Sequence, residues 1–167
     1  MRAAPIIIGR ILKKRGLTLS IAESCSGGLA SHLITNTPGA SNYFAGSVVS
    51  YSNDMKKKIL NVPARLLKKY GAVSSPVAEK MAEGIRKLTN TDFGLGITGI
   101  AGPSGTHPKG RVRTKNKPVG LVYIALATPE RTTVEKFNFY GERTEIKKKV
   151  AFAAISLLLK YLTRNSI

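Results

Sequence analysis

Apolar residues recur along the chain with two alternating periods, and the alternation predicts an α/β protein. Ile6, Ile7, Ile8, Ile11 and Leu12 crowd one side of a helical wheel, and Lys13, Lys14 and Arg15 form a cationic last turn that Gly16 can terminate. Residues 17–22 read as a buried strand, 28–35 as a helix stopped before Pro38, and 43–51 as a strand rich in valine and aromatic residues. Two short helices follow at 53–60 and 63–70, separated by Val62-Pro63. Ser75 as N-cap and Pro76 as first helical residue then open a longer helix through Leu88. Residues 92–98 make the next strand. After a long loop, strands at 119–127 and 132–140 are joined by Pro129-Glu130-Arg131, close enough for a hairpin, and a helix over 145–162 is the last element.

Strands interspersed with helices, ending in one hairpin, predict a three-layer α/β/α sandwich whose mixed, mostly parallel sheet has about five strands. Ligands in such folds bind beyond the C-terminal ends of parallel strands. Here those ends are Ser24, Tyr51 and Gly99, so three segments distant in sequence are expected at one crevice. No internal repeat or second unit is visible, and residues 1–167 are expected to form one domain.

Composition adds compartment and charge. With 43% apolar residues the chain can build a substantial core, and its single cysteine leaves no intramolecular disulfide and no Cys-x-x-Cys metal pair. A cytoplasmic location is the expectation. The apolar stretch after Met1 is too short for a signal peptide and 150–159 too short to span a bilayer, so no membrane role follows. Lys+Arg number 27 against 9 Asp+Glu, a formal +18. Such a field attracts phosphates, whether on nucleic acid or on a small phosphorylated substrate. The cations fall in separate clusters with no aromatic residue interleaved to stack bases, which leaves a nucleic-acid partner as the disfavoured alternative.

The stretch Ile21-Ala22-Glu23-Ser24-Cys25-Ser26-Gly27-Gly28 marks a strand-to-helix corner, with a helix opening at about Gly27. A helix N-terminus presents unpaired amides and a partial positive charge, so Ser24 can be a nucleophile whose developing oxyanion the amides of Ser26, Gly27 and Gly28 receive. The plainer reading is that Ser24 and Ser26 cap the helix while the glycines turn the chain. A base for Ser24 is scarce: His32 sits within a helix, His107 in a basic loop, and Asp54 and Asp92 are the only aspartates. No G-x-S-x-G elbow and no metal-ligand spacing is present. In Tyr51-Ser52-Asn53-Asp54-Met55-Lys56 a phenol and an amine reach the same crevice. A lysine among other cations and partly desolvated has its pKa lowered and can take the serine proton, with Tyr51 relaying or orienting it. Taken alone, Lys56 also reads as a surface residue of a basic run. Gly94-Leu95-Gly96-Ile97-Thr98-Gly99 matches a dinucleotide-binding pattern, but its glycines lie within a strand and no helix follows Pro103. Gly99-Ile100-Ala101-Gly102-Pro103 is instead a tight loop whose backbone, at Gly99, Ala101 and Gly102, can approach a ligand, with plain turn-making as the alternative.

Taken together, Glu23-Ser24-Cys25-Ser26-Gly27-Gly28, Tyr51-Ser52-Asn53 with Lys56, Gly71-Ala72-Val73-Ser74, Gly99-Ile100-Ala101-Gly102-Pro103 and Lys117-Pro118-Val119-Gly120 resemble the CinA carboxy-terminal domain family over roughly residues 8–162. The resemblance implies an α/β/α sandwich similar to anticodon-binding domains. It also implies a nicotinamide-nucleotide amidohydrolase that converts nicotinamide mononucleotide to nicotinic acid mononucleotide and ammonia in pyridine-nucleotide salvage, without metal or cofactor. By motif, the family's serine, tyrosine and lysine fall on Ser24, Tyr51 and Lys56. Arg143, in Gly141-Glu142-Arg143, is a candidate substrate-side cation or a helix-start residue. The expected partner is a small phosphorylated nucleotide; a homo-oligomer such as a dimer is left open, and an inactive member serving as an interaction protein is opposed by the intact Ser24, Tyr51 and Lys56.

Two departures stand out. Family members often carry threonine where this chain has Ser26. The segment 104–116, with Lys109, Arg111, Arg113 and Lys115, is longer and more basic than the expected linker. It has little to bury, so it is expected to be mobile without ligand and to gather phosphate at the crevice. The amino-terminal domain of longer CinA proteins is not in the sequence, and an activity belonging to it is not expected.

Overall fold

The computed structural model describes residues 3–102 and 117–164; the basic segment 104–116 lies outside the described residues. In chain order come α1 (Ala3–Arg15), β1 (Leu19–Glu23), α2 (Leu29–Thr35), β2 (Phe44–Val49), α3 (Asn53–Leu60), α4 (Ala64–Tyr70), α5 (Ser75–Thr89), β3 (Phe93–Gly99), β4 (Leu121–Ala127), β5 (Thr132–Asn138) and α6 (Arg143–Arg164). The five-stranded sheet has the order β2-β1-β3-β4-β5. β1 is parallel to both β2 and β3, and β4 is antiparallel to both β3 and β5, so β4 alone runs against the rest. The sheet is mixed and mostly parallel, as expected.

Strand residues alternate between faces, and the two faces differ in size. Leu19, Ile21, Leu95, Ile97, Val122, Ile124 and Leu126 form one core with Ile8 and Leu12 of α1, Ala30 and Ile34 of α2, and Val150, Ala154 and Leu158 of α6. Each fully buried aliphatic side chain in that layer contributes roughly 1.5–3 kcal/mol. The opposite face carries small residues, and α5 lies close on it: Ala78 and Ala82 pack with Ala125 and Ala127. Any side chain at Gly94 would strike the Ala82 carbonyl, and one at Gly96 the Ala78 carbonyl. Gly94 and Gly96 of the Gly94–Gly99 pattern therefore serve helix-on-sheet packing. Among the described residues no helix is long and apolar enough to cross a membrane.

Several boundaries differ from the sequence reading. Ile6 and Ile7 are exposed, and α1 buries Pro5, Ile8, Gly9 and Leu12 instead; five neighbouring apolar residues exceed the stripe that one helix face can bury. Helix α5 begins at Ser75 with Ser74 as its N-cap, one residue before the expected cap. The Ser74 hydroxyl is spent on the Gly71 carbonyl at 2.9 Å. Strand β2 stops at Val49 because Ser50 turns in to bond β1, its amide donating to the Glu23 carbonyl at 2.8 Å. The expected hairpin is present, with the Thr128 hydroxyl accepting from the Arg131 amide at 3.1 Å.

Candidate functional site

The chain leaves β1 for β2 through α2 on one face, and leaves β2 for β3 through α3, α4 and α5 on the other. β1 is thus the point from which connections part in opposite directions, and its C-terminal end is where such sheets open a crevice. Ser24 is the first residue beyond that end.

Lys56 comes from the opposite layer. Ser52 caps α3 by accepting the Met55 amide at 3.1 Å, which sets the helix phase. Lys56 and Leu60, one turn apart, then face inward and are buried, whereas Lys57 and Lys58 face solvent. Lys56 is only 1% exposed. Its ammonium donates to the Ser50 carbonyl at 2.6 Å, to Ser24 Oγ at 3.1 Å and to the Tyr51 carbonyl at 3.4 Å. Burial lowers its pKa from 10.5 to about 8, with the neighbouring Cys25 opposing weakly. The crowd of cations invoked from sequence plays no part: Lys57 is turned outward and paired with Asp54 at 2.6 Å. Asp92 is equally unavailable, since it accepts the Thr18 amide and hydroxyl at the far end of the sheet.

Cys25 adjoins the serine but is a poor rival. It is buried, and burial pushes its thiol up to about 12. A thiol held protonated is not a nucleophile near neutrality. It has a packing role: a side chain at Gly99 would meet Cys25 Sγ at 3.0 Å and the Leu121 carbonyl at 2.8 Å. Ala101 is likewise buried in the core. Gly102 lies against Arg143, whose Cβ is 3.1 Å from where a side chain would start.

The structure corrects two readings of this corner. Helix α2 begins at Leu29, not at about Gly27, and the amides expected to receive an oxyanion at Gly27 and Gly28 are taken. The Gly27 amide donates to the Ser24 carbonyl at 3.2 Å, and the Gly28 amide to Glu23 Oε2 at 2.9 Å. Ser26 likewise turns inward, its hydroxyl donating to Glu23 Oε2 at 2.6 Å. Glu23 stands in the corner motif but has no role assigned to it from sequence, yet its buried carboxylate also accepts the Ala30 and Ser31 amides and the Ser31 hydroxyl. The signal was an acid just ahead of a helix start with serines at two following positions.

Tyr51 is 63% exposed, and only its carbonyl reaches Lys56. Its phenol accepts from Arg143 Nη2 at 2.7 Å, bridging from the β2 end to the start of α6. One turn along α6, the Lys147 ammonium stands 3.0 Å from where a side chain on Gly27 would begin. Lys117 pins the Gly71–Val73 loop through the Tyr70 carbonyl at 2.8 Å and the Val73 carbonyl, and Thr98 holds the Ala72 carbonyl at 2.8 Å. Among the described residues no cluster of histidine, cysteine or carboxylate side chains could hold a metal ion.

Known proteins share this arrangement of chain and fold. The CinA C-terminal domain model matches residues 3–162. A CinA-like protein of Desulfotalea psychrophila is 48% identical over 95% of the chain, and a putative competence-damage inducible protein of Desulforudis audaxviator 44% identical over 95%. The chain spans 37% of the length of each of these two relatives. Among solved structures, the competence damage-inducible protein A of Klebsiella pneumoniae superposes with a TM-score of 0.90 at 26% identity, covering 99% of this chain and 98% of that one. The competence/damage inducible protein CihA of Agrobacterium tumefaciens does so with 0.86 at 33% identity, covering 97% and 94%. The chain belongs to the CinA C-terminal domain family.

Proposed function

We propose that the chain is an amidohydrolase that cleaves the carboxamide of nicotinamide mononucleotide, with Ser24 as nucleophile and Lys56 as its base. The observation that carries this reading is a lysine buried beyond the C-terminal end of β1, its amine 3.1 Å from a serine hydroxyl and its pKa brought down to about 8. Burying an amine costs stability unless something is gained from it, and placing it against a hydroxyl is how a serine is activated without histidine. The substrate's identity rests on the motif resemblance, and Arg143 and Lys147 near the mouth are suited to its phosphate.

Neutral Lys56 takes the proton from Ser24 Oγ as the oxygen attacks the carboxamide carbon, giving a tetrahedral intermediate. Its C–N bond then breaks, the electron pair leaves with nitrogen, and the Lys56 ammonium returns the proton so that ammonia departs. Water, deprotonated by Lys56, attacks the resulting ester, and Ser24 is regenerated with nicotinic acid mononucleotide. Tyr51 orients this machinery through its carbonyl on Lys56 and its phenol on Arg143. The test is ammonia release from nicotinamide mononucleotide by the purified chain and its Ser24→Ala variant. The rival, a basic nucleic-acid-binding module, predicts no ammonia and a DNA or RNA affinity that falls steeply with salt.

A further inference from the structure

Glu23 and Ser24 are adjacent in sequence, yet the carboxylate is not the serine's base. Both Glu23 oxygens are filled: Oε2 accepts the Ser26 hydroxyl and the Gly28 and Ala30 amides, and Oε1 accepts the Ser31 amide and hydroxyl. An oxygen already accepting two or three donors has no lone pair left for a serine proton. Glu23's backbone is fixed as well, because its carbonyl accepts the Ser50 amide at 2.8 Å and the Ser50 hydroxyl at 3.3 Å. The segment that holds Ser24 is therefore clamped at its start by β2 and at its end by the Glu23 side chain.

This clamp sorts the amides of the corner. The amides of Gly27, Gly28, Ala30 and Ser31 are consumed internally. Those of Cys25 and Ser26 turn to the Cys25 thiol. With its amides engaged, the turn presents Ser24 Oγ to the Lys56 amine at 3.1 Å.

We infer that Glu23 is a positioning residue: by tying Ser26, Gly28, Ala30 and Ser31 to one buried carboxylate, it fixes the turn that holds Ser24 Oγ against Lys56 for attack. The inference rests on Ser24 being the nucleophile. Glu23→Gln is the direct test, since a carboxamide keeps the shape but points an NH2 group at an amide that now meets a carboxylate oxygen. A displacement of Ser24 Oγ by a fraction of an ångström lowers kcat by about 100-fold, while KM stays within about threefold. The lower limb of the pH profile keeps its midpoint, because Glu23 takes no part in the proton transfer to Lys56.

A second readout needs no substrate: the rate at which a small aryl sulfonyl fluoride labels Ser24 falls in parallel with kcat. Ser31→Ala, which removes one of the donors far from Ser24, lowers both rates by about fivefold and serves if Glu23→Gln does not fold. The inference is overturned if Glu23→Gln keeps kcat and labelling within threefold of wild type, if its loss is in KM alone, if the pH midpoint moves, or if Ser31→Ala matches wild type. Labelling that is fast in wild type and slow in Glu23→Gln, in a protein that releases no ammonia from nicotinamide mononucleotide, upholds the positioning role and overturns the substrate reading.

Discussion

Lys56 Nζ lies 3.1 Å from Ser24 Oγ, although 32 residues separate them and one follows a strand of the sheet while the other comes from a helix packed on its face. Only the parting of connections at β1 brings them together.

Ser24→Ala is expected to lower ammonia release by about 10³-fold or more, with substrate binding nearly unchanged, because the covalent route is lost and little ground-state contact goes with it. Cys25→Ser should remain active, since the thiol is held protonated by burial. Steady-state kinetics of both variants, with substrate affinity measured on Ser24→Ala, check this.

Lys56→Ala should lose turnover while Lys57→Ala and Lys58→Ala keep it, since Lys57 and Lys58 face solvent. The base must be neutral to act. With its pKa at about 8, the rate should rise about tenfold per pH unit below that value and level off above it. Equal losses from all three variants would assign the effect to bulk charge.

Burying Lys56 also makes a statement about stability. Below about pH 8 it carries its proton in folded and unfolded chains alike, and the folded state bears the full cost of a buried cation. Between about 8 and 10.5 only the unfolded chain holds the proton, so the wild-type penalty shrinks as pH rises. Lys56→Met should therefore be inactive yet more stable than wild type by about 1 kcal/mol below pH 8, the loss of the Ser50 contact offsetting part of the gain. Its advantage should fade toward pH 10, as denaturant titrations at several pH values would read.

The fold was legible where period and punctuation agreed. Leu19, Ile21, Leu95 and Ile97 alternate on one face, and the glycine-rich corner after Glu23 marked the strand end at Ser24. Lys56 was harder, because a lysine followed by two more reads as solvated; the clue was its spacing of four from the buried Leu60. Tyr51 was placed in the crevice, but its sequence position does not say whether carbonyl or phenol meets the amine. The engagement of the Gly28 amide by Glu23 depends on side-chain reach, which spacing alone does not fix.

The close seat of α5 gives a prediction independent of catalysis. A methyl at Gly96 would collide with the Ala78 carbonyl and lie 2.5 Å from the Ala82 amide nitrogen, both backbone atoms that cannot step aside. Gly96→Ala should cost about 2–3 kcal/mol, read as a lowered Tm.

The Tyr51–Arg143 bridge should couple the two residues. Tyr51→Phe and Arg143→Ala are each expected to raise KM severalfold with smaller changes in kcat, and the double variant should lose less than the sum. A kcat collapse in Tyr51→Phe would place the phenol in the proton path.

The central claim is that Ser24, activated by Lys56, opens the carboxamide of nicotinamide mononucleotide. Incubating the purified chain with that nucleotide and following ammonia across pH, beside Ser24→Ala and Lys56→Ala, tests it most directly. The account predicts ammonia and nicotinic acid mononucleotide in equal amounts, a rate rising through pH about 8, and neither product from the two variants. Ammonia released undiminished by Ser24→Ala, or none released by the wild-type chain at any pH, would contradict it.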